Sequence, residues 1–183
     1  MMRKIFYLLL SILVISACTN ANPEDKEKEK FIDNLMAKMT LEEKAGQMNQ
    51  YNGFWDATGP MPKGDYQKKR YEELKNGQVG SMLNVIGVDQ IRALQKIAVE
   101  ETRLGIPLIF GHDVIHGYKT IFPIPLAESC SWDLELMQKS ARVAATEASA
   151  DGLQWTFAPM VDISRDARWG RVMEGAGEDP FLG

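Results

Sequence analysis

Apolar positions along the chain alternate between helical stripes and short continuous runs. Phe31, Leu35, Met36 and Met39 recur at helical spacing, which predicts a first helix. Thr40-Leu41-Glu42-Glu43 has the form of a capping box. In it the Thr40 hydroxyl starts a second helix, Glu43 reaches back, and Leu41, Ala45 and Met48 face inward. Tyr51 to Lys63 is rich in Gly, Pro and aromatics and predicts a loop. Tyr66 to Lys75 predicts a short helix ended by Asn76-Gly77, and Val79 to Val85 a short strand.

Val88, Ile91, Leu94 and Ala98 mark a helix from Val88 to Thr102, closed by Arg103-Leu104-Gly105. Ile106 to Phe110 is a continuous apolar run with Pro107 near its start, the pattern of a buried parallel strand. Leu134, Met137, Ala141, Ala145 and Ala148 form one stripe of a helix over Asp133 to Asp151, with Gly152 after it. Trp155 to Val161 is a further apolar strand. Strand, helix, strand, helix, strand with short connections predicts a parallel sheet with helices packed outside it.

Two stretches lie outside that pattern. Arg3 and Lys4 precede an apolar run, Ile5 to Ile15, that falls short of the ~20 residues a membrane span requires and reads as a signal-peptide core. Ile15-Ser16-Ala17-Cys18 then resembles a bacterial lipobox, with cleavage before Cys18 and lipid on its thiol. The division expected is a signal peptide over 1–17, a polar flexible tether over 18–30 and a folded region over 31–183. Several acyl chains at Cys18 would hold the protein on a membrane, each buried CH₂ adding roughly 0.8 kcal/mol.

Composition narrows the reading further. The chain has 183 residues, 45% of them hydrophobic and 25% charged, with a net charge of -4. That is ordinary for a globular domain and gives no footprint for a nucleic-acid partner. Removal of residues 1–17, which carry Arg3 and Lys4 and no acid, leaves 19 basic against 25 acidic side chains. With Cys18 lipidated only Cys130 remains, so no disulfide forms within a monomer. Cys130 reads as a small packing residue.

Polar clusters follow the two best strands directly, on the face where α/β barrels build their sites. His112-Asp113-Val114-Ile115-His116 is close to the zinc-protease pattern, which needs a helix to bring both imidazoles to one metal. Gly111 and Gly117 bracket it, a strand leads in, and no third ligand accompanies it, so no metal is expected. Both histidines read as structural groups hydrogen-bonded under the loop. Asp113 has two readings: a carboxylate taking two sugar hydroxyls, or a loop-closing cap.

In the second cluster, Arg165 and Arg168 read as ion-pair partners of acids such as Asp162, Asp166 and Glu174. Gly170 beside Arg171 would let the backbone come close to a ligand. Trp169 reads as a packed side chain or a sugar platform. Gly175-Ala176-Gly177 is too short for a dinucleotide fingerprint.

Several segments together resemble family 3 glycoside hydrolases of the periplasmic β-glucosidase type. They include Met39-Thr40-Leu41-Glu42-Glu43-Lys44, Arg103-Leu104-Gly105-Ile106-Pro107-Leu108, Asp113-Val114-Ile115-His116-Gly117 and Thr120 to Leu126. Trp155 to Asp162, and Arg168-Trp169-Gly170-Arg171 through Glu178-Asp179-Pro180-Phe181-Leu182-Gly183, complete the set. The resemblance implies the N-terminal part of a (β/α)₈ TIM-like barrel, incomplete in this chain, with a second domain beyond it.

It implies retaining hydrolysis that releases β-D-glucose from non-reducing ends, by two carboxyl groups about 5–5.5 Å apart. The family's nucleophile, acid/base and Lys-His pair have no counterpart here, so no catalytic residue is expected in this chain. Asp113 and Arg171 correspond to the residues that bind hydroxyls of the terminal sugar. The resemblance implies no organic cofactor. A fragment without hydrolytic activity is therefore expected, with an unpaired strand edge. Release of p-nitrophenol from its β-glucoside by the isolated chain would contradict this. A non-catalytic lipid-anchored sugar-binding protein, and a β-xylosidase or β-N-acetylglucosaminidase of the same family, stand as alternatives.

Overall fold

The computed structural model describes residues 23–53 and 64–183. The proposed signal peptide and Cys18 lie outside the described residues, as does most of the loop expected after Tyr51. The described residues divide into two compact units, one up to Leu41 and one from Glu42 onward.

The first unit is a helix, α1, over Pro23–Lys38. It begins well before the end of the expected tether, so residues 23–30 are helical rather than extended linker. Pro23 suits a first helical position, Glu24 and Asp25 favour the positive end of the helix dipole, and Lys28 pairs with Glu24 at 3.3 Å.

The second unit is built on four parallel strands in sequential order: β1 (Gln50–Asn52), β2 (Ser81–Leu83), β3 (Ile109–His112) and β4 (Trp155–Thr156). Helix α2 (Leu41–Gln47) precedes β1, and α3 (Asp65–Lys75) follows it. Helix α4 (Val88–Lys96), extended by a π turn over Ile97–Glu101, joins β2 to β3. Helices α5 (Pro125–Ser129) and α6 (Leu134–Ala150) lie between β3 and β4. A sequential parallel order with helical crossovers is the expected opening of a (β/α)₈ barrel.

Side chains alternate across the sheet. Tyr51, Met82 and Phe110 share a register row, and Met82 and Phe110 are fully buried. That face packs on Leu74 of α3, Ile91 and Leu94 of α4 and Ala148 of α6. Burying a side chain of that size contributes about 1.5–3 kcal/mol. The other face carries Asn52, Leu83, Gly111 and Trp155, and Trp155 is 44% exposed there.

Helix ends explain several boundaries. After α3, Gly77 takes a φ of 71°, its N–H bonds Leu74 O at 3.0 Å, and Gln78 N–H bonds Glu73 O at 3.0 Å. This is a Schellman closure at the Asn76-Gly77 pair that the sequence marks. Asp133 caps α6 by accepting from Leu136 N–H at 3.0 Å.

Other expectations are corrected. Tyr51 and Asn52, at the start of the expected loop, instead form β1 together with Gln50, since backbone pairing to Ser81–Leu83 outweighs the loop composition. Strand β3 starts at Ile109 rather than Ile106, because the Gln95 side chain takes both backbone groups of Leu108, at 2.8 and 3.2 Å. Strand β4 ends at Thr156 rather than Val161: the Thr156 hydroxyl accepts from Ala158 N–H, and Pro159 has no N–H to give.

The inward face of α2 is also reversed. Leu41 and Met48 are exposed, while Glu43 and Gly46 are buried. Gly46 sits against the 77–78 backbone, where a Cβ would lie 2.5 Å from Gln78 Cα, and the Glu43 carboxylate receives the Arg103 guanidinium, with Nε at 3.0 Å. On α6 the buried stripe is Ser140, Ala144 and Ala148, so of the expected set only Ala148 faces the core. Ala141 and Ala145 line an open groove of about 610 Å³ beside β4.

Candidate functional site

Two long loops leave the C-terminal ends of β3 and β4, as the polar clusters require. The first begins at His112. Val114 N–H bonds His112 O at 3.1 Å, and the backbone after His112 is not helical. The two imidazoles therefore do not share a helix face. His112 Nδ1 lies 2.9 Å from Asn84 Oδ1, and His116 Nδ1 lies 2.9 Å from Phe122 O. Both rings are engaged with the fold, in agreement with their reading as structural groups.

The loop closes on itself and on α6. Phe122 N–H bonds His116 O at 2.8 Å, and Gly117 takes a φ of 113° in a turn where a Cβ would collide with Thr120 O. Only glycine fits there. Glu147 of α6 accepts from Lys119 N–H, Thr120 N–H and the Thr120 hydroxyl, at 2.7–2.8 Å. Asp151 accepts from Tyr118 OH at 2.8 Å and Lys119 Nζ at 2.7 Å. These bonds hold both carboxyls below their usual range: for Asp151 the Lys119 ammonium acts most, then Tyr118, and for Glu147 the Thr120 hydroxyl acts most. Burial, then Asp151, pushes the Tyr118 phenol up.

Within this braced loop Asp113 is exposed and makes no side-chain hydrogen bond among the described residues. A loop-closing carboxylate would be bonded to nearby N–H groups, as Glu147 is. Asp113 has the open acceptor oxygens that a hydroxyl-bearing ligand would use.

The second loop turns back beside β4. Ser164 N–H bonds Gly177 O at 2.9 Å, which brings the 171–175 stretch alongside residues 160–164. A 3₁₀ turn over Val172–Glu174 follows Arg171. It lets Arg171 Nε and Nη2 reach the two oxygens of Glu174, at 2.9 and 2.7 Å. The pairing raises Arg171 and lowers Glu174, and Asp162 and Asp113 add smaller attractions at the guanidinium. The Asp113 carboxylate, from the other loop, is thus near enough to act on the Arg171 guanidinium.

Of the remaining sequence candidates, Arg168 pairs with Asp166, Nε to Oδ1 at 3.0 Å and Nη2 to Oδ2 at 2.6 Å. Arg165 has no ion pair among the described residues, and Glu174 goes to Arg171 rather than to Arg165 or Arg168. Gly170 has nothing within 4 Å of where its Cβ would be, and Trp169 is 37% exposed. Cys130, expected to pack, is exposed at the end of the five-residue α5, its thiol against Leu126 O at 3.3 Å.

The role of Asn84 was not legible. Asn84 directly follows β2 with a φ of 60° and links Asn52 to His112. An asparagine at the end of a strand, ahead of the Gly87 turn, was the available signal.

The description "Glycosyl hydrolase family 3 N terminal domain" matches residues 40–182. The chain belongs to glycoside hydrolase family 3. Its sequence is 43% identical over 156 residues to a periplasmic β-glucosidase of Salmonella typhimurium, covering 85% of this chain and 19% of that protein. It is 32% identical over 168 residues to a putative β-xylosidase of Formosa agariphila, covering 84% and 22%. The crystal structure of a β-glucosidase from Listeria innocua in complex with glucose superposes with a TM-score of 0.71 at 43% identity, covering 84% of this chain and 22% of that one. The chain therefore spans about a fifth of the length of these relatives. The family's N-terminal domain is TIM-barrel-like, and the four sequential parallel strands are its opening part.

Proposed function

We propose that residues 31–183 are the sugar-recognising opening of a retaining exo-β-glucosidase, with Asp113 and Arg171 gripping hydroxyls of the terminal glucose. One observation carries this reading: Asp113 and Arg171 stand on separate loops that follow β3 and β4, both exposed, with the Asp113 carboxylate adding a small attraction at the Arg171 guanidinium. An acceptor-only group beside a donor-only group is suited to a polyol. Arg171 is held by Glu174 through Nε and Nη2, so its Nη1 is left for a ligand.

The nucleophile and the acid/base belong to later parts of the family architecture. Residues 1–183 alone are accordingly expected to hydrolyse nothing. The naming of one relative as periplasmic supports export, and the lipobox supports anchorage through Cys18. A β-xylosidase reading draws support from the Formosa relative.

Grafting residues 31–183 into the Salmonella enzyme, in place of its matching segment, tests the sugar. The reading expects the graft to cleave p-nitrophenyl β-glucoside well above the β-xyloside. Faster cleavage of the xyloside would favour the second reading.

A further inference from the structure

The C-terminal ends of β1, β2 and β3 carry three polar side chains in a row. Asn84 Nδ2 donates to Asn52 Oδ1 at 3.1 Å, and Asn84 Oδ1 faces His112 Nδ1 at 2.9 Å. The chemistry gives this string a direction. An amide that gives its NH₂ to Asn52 has only its oxygen for His112, and that oxygen can only accept. His112 Nδ1 must then carry the proton, and the lone pair of the neutral ring lies at Nε2.

The surroundings agree with a neutral, oriented ring. Burial pushes the His112 imidazole below its ordinary value, with the Asp113 charge opposing. The Tyr118 ring meets it edge-on, centroids 6.0 Å apart and planes at 81°. Asn84 sits in the left-handed region at φ 60°, which asparagine adopts more readily than other side-chain-bearing residues, and this turn directs its amide between Asn52 and His112. Two atoms of the string have no partner among the described residues: the acceptor His112 Nε2 and the amide donor of Asn52.

We propose that the Asn52–Asn84–His112 string is a second hydroxyl-binding edge of the sugar site, His112 Nε2 accepting and Asn52 Nδ2 donating. This rests on the reading of Asp113 as a sugar ligand and deepens it. Asp113 is the next residue after His112, so both fall on one rim. A neutral acceptor beside a neutral donor matches the paired donor and acceptor character of a polyol's hydroxyls.

The test is a D-glucose titration of the 183-residue chain with ¹⁵N-histidine and ¹³C-aspartate labels, read by NMR. The expected free state has His112 protonated on Nδ1. Glucose should shift His112 Nε2 and the Asp113 carboxyl along one saturable curve. Asn84→Ala should release the fixed tautomer and weaken glucose binding at least threefold. If that variant does not fold, the wild-type tautomer and titration decide alone. A proton on Nε2, or a shift of Asp113 without one of His112, overturns the string's role and leaves Asp113 standing. No saturable shift at either residue overturns both.

Discussion

Arg171 and Glu174, three residues apart across a 3₁₀ turn, meet fork to fork, Nε to Oε1 at 2.9 Å and Nη2 to Oε2 at 2.7 Å. The guanidinium of Arg171 is therefore held in one orientation by the fold itself. A bidentate pair of this kind fixes the guanidinium plane as well as its charge. Glu174→Gln in the Salmonella graft should keep the guanidinium and lose its aim. A displacement of an ångström at a reacting complex can cost about a hundredfold, so kcat/KM should drop substantially while thermal stability stays near the parent's. Unchanged kcat/KM would mean that Arg171 does not depend on Glu174 for its position.

Asp151 and Glu147 tie the Tyr118–Thr120 loop to α6, and both have folded pKa values below the ordinary range. A carboxyl with a depressed folded pKa adds stability that is present above its unfolded pKa. That stability is lost as pH falls through the folded value. Asp151→Asn should therefore melt below wild type at pH 7, and the gap should narrow once pH is brought below about 4. Melting followed by circular dichroism across that range is the check. A gap that stays constant with pH would show that the Lys119 and Tyr118 contacts are not ionic in effect.

Three glycines separate packing from access. At Gly46 a Cβ would meet the Gly77 and Gln78 backbone, and at Gly80 it would meet the Gln47 backbone. Gly46→Ala and Gly80→Ala should each destabilise by roughly 1–3 kcal/mol or more, the usual cost of overpacking. Gly170 is surrounded by open space, so Gly170→Ala should leave denaturant midpoints unchanged. In the graft, loss of activity in Gly170→Ala at unchanged stability would place the ligand against that backbone. Full activity would place it elsewhere.

The alternation of strands and helices was legible because the helices between β2 and β3 and between β3 and β4 have apolar stripes and two of the strands fall in continuous apolar runs. Gln50–Asn52 has neither, and its identity as β1 comes from long-range pairing with β2. The buried faces of α2 and α6 depart from their apolar periodicity for a related reason. Periodicity locates a stripe but not what packs on it, and at α2 the close contacts are made by Gly46 and the Glu43–Arg103 pair. The proposal for Asp113 and Arg171 rests on short sequence motifs, the first directly after β3 and the second in the loop that follows β4. The bonds that orient Arg171 and His112, to Glu174 and Asn84, depend on backbone turns that composition does not specify.

Asp113→Ala in the Salmonella graft is the most direct test of the account. Each charge-assisted bond from this carboxylate to a sugar hydroxyl is worth roughly 1.5–3 kcal/mol. The expected result is a loss of tenfold or more in kcat/KM on p-nitrophenyl β-glucoside, with the melting temperature unchanged. A stably folded Asp113→Ala graft that loses less than tenfold would contradict the assignment of Asp113 to the sugar site.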